Sequence, residues 1–246
     1  EGVPVIDNLS MHVFAGEIMG LVCVNTLGLD ELLDLICNNI PIHYGYVYFL
    51  GKRAHSYHRP ASQPNHVAII EKRSRLVDCL TVADNIFVLR KNFRAYVLKP
   101  SVMEKQIQPY FDEIRSMGID VPVSSVVADL SLLQRWTVEL LKAVITGVRL
   151  VVIRDISNYV STMDLAKIHA LMRHYAAKGI SFLYICNHHQ EVFSIAGKAA
   201  IMEDGTVRKV LAPEQMNDDV MLSYDYPFFK AVSEPIKEMR EPLPAG

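Results

Sequence analysis

Two apolar runs bracketing a single helical period constrain this chain more than any other feature. Leu150-Val151-Val152-Ile153 and Ile180-Ser181-Phe182-Leu183-Tyr184-Ile185-Cys186 are short and buried in character, and Asp164 to Ala177 between them repeats its apolar residues at three and four, with Gly179 as the stop. A strand, a helix and a second strand in that order require a parallel pair with a crossover. An earlier unit, residues 16–36, has the same grammar. Ile18-Met19-Gly20-Leu21-Val22-Cys23 is a buried strand, and Glu31-Leu32-Leu33-Asp34-Leu35-Ile36 opens an amphipathic helix. The chain therefore predicts an α/β domain with a parallel core sheet.

Around that core the pattern changes. Residues 3–14 end in alternating Met11 to Phe14, and Tyr44 to Lys52 alternates before a Gly-Lys turn, which predicts an antiparallel β-region. Residues 82–146 are mostly helical in period. Within them Ser101 to Met117 form a helix with Ser101 as N-cap and Gly118 as stop, and Leu132 to Ile145 form another. Val192 to Val210 read as helix, strand and hairpin, with Glu203-Asp204-Gly205 the turn. Residues 216–246, with weak periodicity and several prolines, read as a tail or linker.

The chain has 246 residues, half of them hydrophobic, enough for one large α/β domain. A net charge of −2 gives no overall field to recruit nucleic acid or anionic lipid. No run of eighteen apolar residues exists, so direct membrane insertion is not expected. Cys23, Cys37, Cys79 and Cys186 lack paired spacing and read as reduced core or near-core residues. The start at Glu1 and the Pro-Leu-Pro-Ala-Gly end suggest a piece of a longer polypeptide.

The turn inside residues 16–36 sits where a phosphate-binding loop would place G-x-x-x-x-G-K-[ST]. The frame here is Cys23-Val24-Asn25-Thr26-Leu27-Gly28-Leu29-Asp30. Gly28 keeps the second glycine. Leu29 stands at the lysine that reaches the outer phosphates, and Asp30 at the hydroxyl that ligates Mg²⁺. Alone, this segment is one more strand-turn-helix unit.

Read in order with five others, it resembles the nucleotide-binding domain of ABC transporters, closest to the first cassette of the sugar-import type. Residues 2–10 with Ala15-Gly16-Glu17-Ile18 are similar to its opening β-region. Leu80-Thr81-Val82-Ala83-Asp84-Asn85-Ile86 resembles its segment after the Q-loop. Asp129-Leu130-Ser131-Leu132-Leu133-Gln134 resembles the signature, Tyr184 to Val192 the switch-histidine region, and Met202-Glu203-Asp204-Gly205-Thr206-Val207 the closing hairpin. The resemblance covers residues 2–211. It implies a P-loop NTPase-like ABC ATPase fold over 1–215, with a helical subdomain at about 90–148.

The resemblance also places the functional positions. The Q-loop glutamine falls on Lys72, which cannot ligate Mg²⁺. The signature keeps Ser131 and Gln134, but bulky Leu133 stands where a glycine approaches a phosphate. The Walker B aspartate falls on Arg154, the catalytic glutamate on Asp155, and the switch histidine on Asn187, which cannot carry a proton. Phosphoryl transfer relies on positioning and on charge neutralisation by Mg²⁺ and lysine. With those groups replaced, the expectation is no metal, no nucleotide cofactor and no catalytic residue, and a vestigial site at Asn25, Gly28, Leu29, Asp30, Ser131 and Gln134. Asp30 and Arg154 are expected to form an ion pair in place of Mg²⁺ and phosphate.

The implied function is a catalytically inactive cassette, structural or regulatory, in a sugar-type ABC assembly. Its partners would be a second cassette and a membrane permease subunit, and it would lie in the cytoplasm at the inner face of the membrane. The alternatives are an ATP-binding subunit of a carbohydrate importer that still uses ATP and Mg²⁺, and a repurposed interaction or sensor domain. His188-His189 are expected to point apart, Trp136 to be packed, and Lys72, Arg73 and Arg75 to form a solvated or partner-facing loop.

Overall fold

A computed structural model describes residues 5–38, 40, 42–55, 67–87 and 100–225. Its main sheet has six strands in the order β4-β5-β6-β1-β7-β8: β1 (Ile18–Cys23), β4 (Val67–Ile70), β5 (Leu150–Arg154), β6 (Ser181–Ile185), β7 (Lys198–Glu203) and β8 (Thr206–Leu211). The pairs from β4 through β7 are parallel, and β8 turns back antiparallel on β7. The parallel strands are continuous apolar runs because both faces are covered. On β6, Phe182 and Tyr184 face one core cluster while Leu183 and Ile185 face the other.

Helix α1 (Leu29–Cys37) covers the second face through Leu29, Leu32 and Leu33, the i, i+3, i+4 stripe of an amphipathic helix. The first face carries α4 (Leu132–Ile145), α5 (Thr162–Ala177) and α6 (His189–Ile195), and beyond them α2 (Val82–Phe87) and α3 (Pro100–Ser116). Helices α3 and α4 fall within residues 90–148, and α2 precedes them; residues 88–99 lie outside the described residues.

Several expectations are corrected. Residues 5–14 contain no strand. The backbone there is tied to the β7–β8 turn and to nearby side chains, with the Asp7 amide donating to the Gly205 carbonyl at 3.3 Å and the Phe14 amide to the Glu17 carboxylate at 2.7 Å, so no ladder forms. Residues 1–4 lie outside the described residues. The antiparallel hairpin is β2 (Val47–Phe49) with β3 (Lys52–His55). Its turn is Leu50-Gly51, both at positive φ, and Lys52 already belongs to β3. Helix α3 begins at Pro100, so Ser101 sits inside its first turn instead of capping it. The stretch read as a tail starts with α7 (Asp218–Asp225), whose Met221 is buried in the core; 226–246 lie outside the described residues. Cys79 is exposed, whereas Cys23 and Cys186 are buried. Of His43, His55, His58 and His66, which a polar stretch predicts at the surface, His43 is exposed, and His58 and His66 lie outside the described residues.

Candidate functional site

Parallel strands gather their carboxyl ends on one edge, and the loops there form the crevice where open α/β sheets bind ligands. That edge holds the 24–28 loop after β1, Asp30 on α1, Glu71 and Lys72 after β4, Arg154 and Asp155 at the end of β5, and Asn187 after β6.

The loop is filled by its own chain. Asn25 donates through Nδ2 to Asp204 Oδ1 at 2.9 Å, and its Oδ1 accepts from the amides of Leu27 at 3.2 Å and Asp204 at 3.3 Å. The Leu29 amide donates to the Thr26 carbonyl at 3.2 Å, and the Gly205 amide to the Leu27 carbonyl at 3.1 Å. A phosphate cradle needs loop amides aimed outward at the anion; those of Leu27 and Leu29 have internal acceptors. Gly28 precedes α1 with φ 79°, and a Cβ there would lie 2.7 Å from Gly205 Cα and 2.9 Å from the Val5 carbonyl oxygen. Its close approach is to protein. Leu29, 2% exposed, points into the core below the sheet and not toward the crevice.

Arg154 occupies the middle of the edge. Its Nη1 contacts Asp30 Oδ1 at 2.7 Å and Glu71 Oε1 at 3.7 Å, and its Nε lies 3.7 Å from Asp155 Oδ2. The expected Arg154–Asp30 ion pair is therefore formed. Glu71 was not anticipated. The register pairs Ile70 with Ile153, so the next residues are Glu71, just after β4, and Arg154, the last of β5; a charge one step past each apolar run was the available signal. Asp30 is 74% exposed, so its bond alone contributes under about 1 kcal/mol. One guanidinium among three carboxylates leaves local negative charge in excess, which opposes a polyphosphate.

Asp155 has φ 49°, an uncommon conformation for a residue other than glycine, and its Oδ1 is buried without a hydrogen-bond partner among the described residues. Burial raises its pKa, against the opposing effect of Arg154.

The profile of the ABC transporter family matches residues 6–155, more than half of the chain. This chain belongs to the ABC transporter family. The ribose import ATP-binding protein RbsA of Halalkalibacterium halodurans is 24% identical over 90% of the cassette and 44% of its own length. The arabinose import ATP-binding protein AraG 1 of Burkholderia ambifaria is 26% identical over 88% and 42%. The galactose/methyl galactoside import ATP-binding protein MglA of Treponema denticola is 24% identical over 87% and 43%. The chain thus spans less than half the length of these relatives. A solved ATP-binding cassette of an ABC transporter in its ADP conformation superposes with a TM-score of 0.71 at 17% identity, covering 89% of this chain and 91% of that one. The ABC ATPase fold, with a mostly parallel sheet and an antiparallel part, follows.

The remaining cassette positions are dispersed. Lys72 Nζ lies 4.3 Å from the centre of the Tyr159 ring, a cation–π contact at a partly exposed ring. Asn187 is exposed. His188 and His189 diverge as expected: the first faces Asn158 Oδ1 at 3.4 Å, the second Asp218 Oδ1 at 3.0 Å. Ser131 and Gln134 form a reciprocal capping box at the start of α4, and Gln134 Nε2 also donates to the Asp120 carbonyl at 2.8 Å. Leu133 is buried and Leu132 partly exposed. Trp136 is packed, 2% exposed. No helix among the described residues is long and apolar enough to cross a membrane.

Proposed function

We propose that this chain is a cassette of a carbohydrate-import ABC assembly whose own nucleotide site does not run Mg²⁺-dependent hydrolysis. The names of the relatives, import ATP-binding proteins for ribose, arabinose and galactose, support the assignment to sugar import. The observation that carries the loss of chemistry is Arg154 bonded to Asp30, the two positions that the resemblance assigns to metal-holding side chains. The internally satisfied amides of Leu27 and Leu29 support the same reading. In it, Asn25, Gly28, Leu29, Asp30, Ser131 and Gln134 are vestigial nucleotide positions, and Lys72, Arg154, Asp155 and Asn187 are degenerate catalytic ones. The cassette would pair with a second cassette and dock on a permease subunit at the inner membrane face, with residues of about 90–148 as the helical subdomain.

The likeness to ATP-binding import proteins favours a second reading more directly: an ATP-binding subunit that still uses nucleotide. Isothermal calorimetry with ATP, with and without Mg²⁺, separates the two. The first expects no Mg²⁺-dependent binding and no turnover. Micromolar, Mg²⁺-dependent binding with turnover abolished by Asp155→Asn would establish the second.

A further inference from the structure

Helix α4 reaches the Arg154 cluster through one loop. Trp136 and Glu139 are three residues apart and share a helix face, and both bond to residues 71–76. The Trp136 indole donates through Nε1 to the Glu71 carbonyl at 2.9 Å. Glu139 Oε1 accepts from Ser74 Oγ at 3.0 Å and, through a short bond, from the Arg75 amide. Ser74 Oγ in turn accepts the Leu76 amide at 3.2 Å. The far side of the loop meets the site: Glu71 lies against Arg154, and Lys72 lies over Tyr159. Glu139 is 8% exposed, and its Oε2 has no hydrogen-bond partner among the described residues. A buried carboxylate is costly, and hydrogen bonds to a charged acceptor are among the stronger ones.

We infer that Glu139 is a positioning residue for the Arg154 cluster, holding loop 71–76 on α4 so that Glu71 faces Arg154. The inference does not depend on whether nucleotide binds. It makes the first turns of α4 and the end of β5 one connected unit: a change in α4 alters the contacts of Arg154 without touching it. The charged groups facing Glu139 are Arg75 from the loop and Lys142 from α4 itself, and Arg75 also pairs with Glu71 at 3.3 Å.

Trp136 is the chain's one tryptophan, so its indole N–H reports the loop without ambiguity. The test is an NMR comparison of the Trp136 indole N–H and the Arg154 Nε–H in the 246-residue chain, Glu139→Leu and Glu139→Gln. Glu139→Leu removes both loop bonds. The Trp136 N–H should then exchange with solvent about tenfold faster or more, the factor expected for one charge-assisted bond, and the Arg154 signal should shift. Glu139→Gln keeps an acceptor oxygen and should restore both signals. If Glu139→Leu does not fold, Ser74→Ala removes one of the same donors and should shift both signals in the same direction. Wild-type Trp136 and Arg154 signals in a folded Glu139→Leu or Ser74→Ala chain overturn the inference. So does a Glu139→Gln chain as perturbed as Glu139→Leu.

Discussion

Arg154 Nη1 stands 2.7 Å from Asp30 Oδ1, joining the end of β5 to the first turn of α1 across 124 residues of sequence. Asp30 meets the positive end of the α1 dipole, and Arg154 balances it from the other side. If this pair stands in place of a metal, returning the metal-type residues should return metal dependence. The triple variant Leu29→Lys, Asp30→Ser, Arg154→Asp is expected to gain Mg²⁺-dependent ATP binding by calorimetry. It should gain no turnover, because Lys72 and Asn187 remain. An unchanged heat signal would show that the closed loop, and not the side chains, excludes nucleotide.

Removing the cation alone should destabilise the fold. Arg154→Met keeps the aliphatic stem but leaves Asp30, Glu71 and Asp155 facing one another. A loss of about 1–2 kcal/mol is expected by urea unfolding, shrinking as salt screens the carboxylates. Asp30→Ala should cost less, at most about 1 kcal/mol, because Asp30 is largely exposed.

Two glutamates should respond to acid in opposite directions. For Glu113 on α3, burial works to raise the pKa, but hydrogen bonds and charges from Lys178, just past α5, and His174 on α5 outweigh it and hold the carboxyl below its usual value. Its stabilising contribution is present above the unfolded-state pKa and is lost as pH falls through the lower folded value. Burial raises Glu139, against the Arg75 amide and Ser74. Its contribution is present below the unfolded-state pKa and is lost as pH rises through the higher folded one. Thermal unfolding from about pH 8 to about pH 3 should show wild type losing its advantage over Glu113→Gln on acidification. Over the same range wild type should gain on Glu139→Gln.

What could be read from the sequence follows from how local each signal is. The β5–α5–β6 unit was legible because its apolar runs and helical period are contiguous, and α4 matches its expected limits, Leu132–Ile145. Met11 to Phe14 alternate like a strand, but a strand needs a partner, and Phe14 bonds instead to the Glu17 carboxylate and the Ser181 hydroxyl. Met221 was hidden because eight residues of weak period become a helix through packing on α6. In the site, Asp30 and Arg154 were legible as a charge pair that the fold brings together. Asn25 was read as a relic of a phosphate loop. Its bond to Asp204, 179 residues away, depends on where the β7–β8 turn lands, and no local pattern encodes that.

The turn that closes the loop should be intolerant of side chains. Gly205 has φ 70°, and a Cβ there would sit 1.8 Å from the Val5 carbonyl oxygen, against 2.7 Å to Gly205 Cα for the nearest contact at Gly28. In both cases backbone is the obstacle, so a rotamer change cannot relieve it. Gly205→Ala should cost more than Gly28→Ala, and each more than about 1 kcal/mol. Equal urea midpoints for the two variants and wild type would mean that loop and turn separate readily, leaving the cradle open.

Asp155 offers the sharpest separation between a working site and a relic. It combines left-handed backbone, a buried carboxylate oxygen without a hydrogen-bond partner among the described residues and neighbouring like charge. Strain of this kind persists at active sites because the chemistry needs the side chain. Without that chemistry, Asp155→Gly should relieve all three costs. It gives up only the 3.7 Å contact with Arg154 and some backbone entropy of the unfolded chain. A gain of about 0.5–1 kcal/mol is expected by urea unfolding. A destabilised Asp155→Gly would mean that the Arg154 contact outweighs the strain, so that Asp155 holds the cation and is not a residue left behind.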